Sequence, residues 1–197
     1  MRSVDRRIGG SIAALALLVA GCRRSAQAAR TDQVAAAQAT DAVAFAIMAH
    51  RHTYSQVVVE RLATAGIVAS APDYDGEKKK LPLPVQFLRL AGEHVARSPQ
   101  ADKLRFRLLS AWAINKDNLP RNDFEREALV LLSKKPDEPV RRSFEEKGRR
   151  QFVSMYADRA VGIGCVECHN AHPGSPRHDY KLNDVMGALL VSIAIEE

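Results

Sequence analysis

Residues 165–169 read Cys-Val-Glu-Cys-His. Two thiols two residues apart, with an imidazole directly after the second, suggest covalent haem attachment, half of a zinc site, a dithiol–disulfide pair, or no chemistry at all. Haem attachment uses all three side chains at once. The thiols add across the two porphyrin vinyl groups, the two-residue gap brings them to the correct edge, and the histidine is held beneath the iron. A structural zinc site needs four ligands, commonly from two such knuckles, and there is no second cysteine pair; His172 and His178 are the nitrogens at hand. A thioredoxin-like pair belongs at a helix N-terminus in a βαβ setting, which "NAHPGSPRHDYK" does not resemble. The element is read as the site of one covalent haem c, with Cys165 and Cys168 as the thioethers and His169 as the proximal iron ligand.

The N-terminus supports this. "MRSVDRR" is a basic n-region, and "IGGSIAALALLVA" is an apolar h-region too short to span a bilayer comfortably. Small residues Ala20 and Gly21 stand before Cys22, the order of a bacterial lipobox. Residues 1–21 are therefore expected to be a lipoprotein signal peptide, and Cys22 the lipidated first mature residue; the competing expectation is an ordinary signal peptide cut after "SAQA". No later segment is apolar enough to cross a membrane. The mature chain is then a lipid-anchored protein of the cell envelope facing the periplasm, where cytochrome c maturation takes place. With Cys22 lipidated, Cys165 and Cys168 alone remain, so there is no disulfide framework.

One haem leaves one open coordination position, and its occupant separates electron transfer from ligand binding. The side chains able to bind iron are His50, His52, His94, His172, His178 and the methionines at 48, 155 and 186. His172 follows His169 too closely to reach the opposite face without a large loop. "AIMAHRHTY" concentrates three candidates on one helix. His50 shares a face with Ile47, Tyr54 and Val57, whereas His52 shares one with Phe45, Met48 and Val59. Both faces are apolar, so periodicity leaves His50, His52 and Met48 open as distal ligands.

The positioning elements are legible at coarse grain. Residues 22–32 are polar and read as a flexible tether, leaving 33–197 as one domain, a length that supports a single core. A long helix is predicted from Asp32 to Ala65, without Pro or Gly and ending at Gly66. "ASAPDYDGEKKK" reads as an exposed loop, and "LPVQFLRLAGEHVARS" as a helix with Val85, Leu88, Ala91 and Val95 at helical spacing. "KLRFRLLSAWAIN" alternates as a strand, and "KDNLPRN" is its turn. Asn122 or Asp123 can cap a helix through "FEREALVLLSKK", with Phe124, Ala128, Leu131 and Leu132 turned to the core. "VRRSFEEK" and "RRQFVSMYADRAV" read as strands joined around Gly148, residues 164–180 as the attachment loop, and "VMGALLVSIAIE" as a buried strand. Helices first, then antiparallel strands with a helix between, define an α+β fold. There is no internal repeat. A net charge of +6, part of it in the first seven residues and with no basic helix interleaved with aromatics, gives no ground for nucleic-acid binding.

"CVECHNAHPGSPRHDYKLNDVMGALLVSI" resembles the C-terminal half of the Tll-type c-haem domains. That family carries Cys-x-x-Cys-His-Asn, then His-Pro, Ser-Pro, an aromatic-Lys pair and Gly-Asp-Val-x-Gly; Asn183 stands here in place of the first Gly. "NKDNLPRNDFEREAL" is similar to the family's Asn-Pro-x-Asn turn leading into a helix. The resemblance implies a PAS-like antiparallel sheet with a long N-terminal helix lying over a covalently attached haem, periplasmic exposure, and redox sensing or electron transfer. Family members stand alone or fused to histidine kinases and chemotaxis receptors. In some, a cysteine on the first helix, in an Ala-Ile-x-x-Cys context, ligates the iron opposite the Cys-x-x-Cys-His histidine. Ala46-Ile47-Met48-Ala49-His50 puts His50 in that place, which implies bis-histidine ligation and a higher reduction potential than in a Cys/His relative.

Two functions are expected from different classes: a lipid-anchored single-haem electron carrier, and a haem-based redox or small-ligand sensor that signals through a protein partner. Enzymatic catalysis is not expected, because no set of distal acid/base groups is evident. Arg141, Arg142, Arg149 and Arg150 are candidates to dock an acidic partner, against the plainer reading of a solvated strand face. The lysines at 78–80 read as a solvated loop.

Overall fold

The structure, a computed structural model, describes residues 10–76 and 79–195. The basic n-region at 1–7 and Lys78 lie outside the described residues. Helix α1 runs from Gly10 to Thr53, continues as a π-helical stretch, Tyr54–Glu60, and ends in α2, Arg61–Thr64. It passes straight through residues 22–32, which the sequence reading set apart as a flexible tether. That stretch holds no Pro or Gly and is rich in Ala, Arg and Gln, all strong helix formers, so nothing local breaks the helix. Gly66, at φ 67°, supplies the left-handed residue just beyond its end.

Two short strands, β1 (Ala69–Ser70) and β2 (Lys80–Leu81), pair in parallel within the predicted loop. Helix α3 spans Pro84–Ala96, with proline at its first position, where a missing N–H costs nothing. Strand β3 covers only Leu104–Leu109, shorter than predicted. Beyond it, the Ser110 hydroxyl donates to Met186 O (2.6 Å) and accepts from Trp112 N (3.0 Å), turning the chain away.

Helix α4, Asp123–Lys134, begins where the Asn122 side chain accepts from Glu125 N at 3.0 Å. Glu125 is itself buried and holds Arg107 of β3 at 2.5 Å and Arg121 N at 2.6 Å, so the cap also ties the helix to the sheet. Asn122→Ala is expected to lower stability by about 1 kcal/mol in urea unfolding with an unchanged slope; a neutral result refutes the cap. Phe124, Ala128 and Leu132 face the core as predicted, but Leu131 is half exposed and Leu129 is buried instead. The apolar stripe is broad enough for period alone to allow either leucine, and packing against Val153, Met155 and Ala188 of the sheet buries Leu129.

Strands β4 (Val140–Glu146) and β5 (Arg149–Arg159) form a hairpin whose two central turn residues, Lys147 (φ 53°) and Gly148 (φ 74°), both take the left-handed conformation a tight hairpin requires. Helix α5, Ile163–Ala171, follows, and β6, Val185–Ile195, closes the domain. The antiparallel sheet has the order β3-β6-β5-β4, so the first and last strands are neighbours, a PAS-like arrangement. The central strand β6 is covered on both faces. Ala188 and Leu190 lie toward α4, Phe124, Val153 and Met155, while Leu189 and Val191 lie toward Ala44, Ile47 and Met48 of α1. The continuous apolar run of β6 reflects that double burial. Where β6 enters the sheet the backbones are so close that a Cβ at Gly187 would stand 2.4 Å from Leu109 O.

One face of β5 is a polar seam along α1. Ser154, Tyr156 and Asp158 alternate along the strand and meet Thr40 (2.8 Å), Asp41 (2.7 Å) and Arg51 (2.9 Å) in turn. Four residues of strand rise roughly 13 Å and eleven of helix roughly 16 Å, so the two elements stay in step and run the same way. The seam ends where β5 gives way to α5.

Candidate functional site

The Cys-x-x-Cys-His element stands on helix α5, not in a loop as the sequence reading had it. Gly162, extended, precedes the helix, and no residue from Cys165 to Ala171 opposes helix formation. His172 stops it: it takes an extended conformation (φ −70°, ψ 125°) because Pro173 follows. Helical spacing then places Cys165, Cys168 and His169 at i, i+3 and i+4, on one face. Cys165 is half-buried against Ala160, Val166, Tyr180 and Met186, and Cys168 is exposed. Neither cysteine is in a disulfide. Although Cys168 is exposed, its thiol is partly desolvated, which pushes the pKa up, and neighbouring Cys165 adds to the effect.

Behind the helix, the segment after it is fastened by a few polar contacts. The Asn170 side chain makes two bonds to Tyr180, Nδ2 to its carbonyl and Oδ1 from its N–H, each 2.9 Å. His178 Nδ1 lies 2.8 Å from Asn170 O, and the Ser175 hydroxyl donates to Arg177 O at 2.6 Å. The Arg177 guanidinium covers the Tyr180 ring at 4.3 Å and pairs with Asp179 (2.6 Å) and Asp184 (3.1 Å). Asn183 turns the chain at φ 68° and donates its N–H to Ala160 O. That conformation explains the departure from Gly in the motif: asparagine is the residue besides glycine that best tolerates it.

The result is a rigid seat for His169. Its ring meets the buried Tyr180 ring edge-on at 5.7 Å. Its Nδ1 is buried with no hydrogen-bond partner, and so is the Tyr180 hydroxyl. Burial lowers the His169 pKa, opposed by the Asp158 carboxylate and assisted by His172, which favours the neutral imidazole that coordinates a metal. Ile163, two residues before Cys165 on α5, and Leu182 are more than half exposed.

On α1, His50 and His52 are exposed and stand either side of Arg51. His50 Nδ1 is 2.6 Å from Ala46 O one turn back. Met48 instead packs with the Ala44, Leu189 and Val191 cluster. Arg51 was not singled out from the sequence. It is 7% exposed and grips Asp158 with both terminal nitrogens, Nη1 to Oδ2 at 2.9 Å and Nη2 to Oδ1 at 2.5 Å, the second an ion contact off the hydrogen-bond line. Its one sequence signal was a cation at the i+11 position from Thr40, inside an otherwise apolar stripe. The seam thus brings "AHRHT" to the end of the sheet from which α5 leaves. Among the described residues no three His, Cys, Asp or Glu side chains converge as a metal cage, so the zinc alternative, with His172 and His178 as further ligands, gains nothing.

The arginines considered for docking are largely neutralised within the chain. Arg141 pairs with Asp41 (2.6 Å), Arg142 with Glu127 (3.3 Å) and Arg149 with Asp102 (3.1 Å). Among the described residues no helix is long and apolar enough to cross a membrane.

The fold and site together define an α+β domain of PAS-like topology with a long N-terminal helix and a Cys-x-x-Cys-His helix at the open end of its sheet. The chain belongs to the Tll0287-like family, whose model matches residues 25–194. Among solved structures it is similar to the cyanobacterial heme-protein Tll0287, at 14% identity over 57% of this chain and 72% of that one, with a TM-score of 0.42. No curated protein matches the chain.

Proposed function

We propose that the chain is a single-haem c-type protein that carries electrons at the periplasmic face of the envelope, anchored by lipid on Cys22. The observation that carries this is the α5 face: two thiols and an imidazole at i, i+3 and i+4, with the imidazole ring seated on Tyr180. These residues fit a haem. Cys165 and Cys168 would hold it through thioethers and His169 would ligate its iron. When bound, haem supplies a one-electron Fe(III)/Fe(II) couple.

The chain's own residues do the rest. Tyr180 and Asn170 fix the His169 ring, and burial keeps it neutral. His50 is the distal ligand that the family resemblance favours, with His52 the alternative on the other side of Arg51; Met48 is occupied in the core. The Tll0287 structure is described as that of a heme-protein, which agrees with this reading.

A second reading, a redox or small-ligand sensor acting through a protein partner, draws on the π-helical Tyr54–Glu60 directly after "AHRHT". Such irregular turns recur at functional sites. Mature protein made with a cytochrome c maturation system is expected to give a c-type pyridine haemochrome. The reduced form should refuse carbon monoxide, and the spectrum should change in a His50→Ala variant. Rapid carbon monoxide binding by the parent selects the sensor, and a colourless product rejects both readings.

A further inference from the structure

We propose that Arg51 and Asp158 form a charge-balancing pair that sets the reduction potential of the iron site, an inference that rests on the haem reading above. The two side chains are about nine-tenths buried, at 9% and 13% exposure, and lie at the last step of the α1–β5 seam. Asp158 faces Arg51 by the same strand alternation that turns Ser154 and Tyr156 to α1, and the β5–β6 register slips just beyond it, between Asp158 and Arg159. Arg51 Nη2 also approaches Arg159 O at 3.4 Å. Two residues on, Ala160 is buried against Cys165 and Val166. The pair therefore joins α1 to the end of β5 that leads, through buried Ala160, into the helix that bears the thiols.

A clamp alone does not call for charge here. The Thr40–Ser154 tie holds the same two elements with neutral hydroxyls. Replacing a buried ion pair by apolar side chains is commonly neutral or stabilising, so its presence says little for stability. Its electrostatic consequence is definite. A carboxylate close to the iron favours the ferric state, a guanidinium favours the ferrous state, and both act through a water-poor interior. Paired, they nearly cancel, and the potential rests on their balance.

The test is redox titration of the haem-loaded protein. Asp158→Asn should raise the midpoint and Arg51→Gln should lower it. Each should change the ferric-to-ferrous ratio at the parent's midpoint by tenfold or more, 59 mV for a one-electron couple. The Arg51→Gln, Asp158→Asn double variant should return close to the parent and keeps the test open if a single variant folds poorly. Shifts of the same sign, or none, with haem retained show a purely structural clamp and overturn this inference alone. A chain that takes up no haem overturns the reading of the site.

Discussion

Serine at both Cys165 and Cys168 is expected to yield protein whose colour is lost entirely on denaturation, whereas the parent keeps its colour in the unfolded chain. A thioether is a carbon–sulfur bond and survives unfolding; an iron–imidazole bond depends on the folded seat that holds His169 against Tyr180. The readout is the haem absorbance that stays with the polypeptide under denaturing electrophoresis. Single variants should retain one thioether each and hence some covalent colour. Cys165 should be the costlier loss to folding, because it packs against Val166 and Met186 while Cys168 is exposed. Extractable pigment in the parent, or covalent pigment in the double variant, is incompatible with the proposed attachment.

Leu189→Ala is expected to cost about 2–5 kcal/mol, read as a lower urea midpoint at nearly constant slope. The side chain is fully buried on the central strand, opposite Tyr156 on β5 and Leu108 on β3, under Ala44 of α1. Neighbours fixed on two sides by strand hydrogen bonds cannot close over the cavity, which places the cost high in that range. Leu131→Ala, half exposed on α4, is the control and should change stability by no more than about 0.5 kcal/mol. A domain with about 5–15 kcal/mol to spare tolerates the first change only in part. Equal effects for the two leucines would mean that the core is misplaced.

That contrast shows where sequence reading stopped. Both leucines lie within one wide apolar stripe, and a helix of period 3.6 allows either to face inward. By contrast, a cap at Asn122 or Asp123, a turn around Gly148 and a buried final strand are stated by neighbouring residues alone, and the structure selects Asn122, pairs Lys147 with Gly148 in the turn and buries β6 on both faces. Their determinants are local: a side-chain oxygen one turn from a free N–H, a left-handed φ, an unbroken apolar run. The α5 segment, however, reads as a loop in the sequence, because nine residues give too little periodicity to reveal a helix.

By itself the sequence determined which atoms are available for chemistry, two thiols and an imidazole at a fixed spacing, and the family in which that spacing occurs. It could not say which of His50, Arg51 and His52 turns inward, since apolar residues flank every one of them. The tertiary structure decided that. With Ser154 and Tyr156 engaged by Thr40 and Asp41, the next inward position on β5 is Asp158, and helical rise brings Arg51 to meet it. The histidines are left on either flank. The buried Asp158 carboxylate finds its cation on another element, 107 residues away in sequence, and the residues beside it do not name that partner.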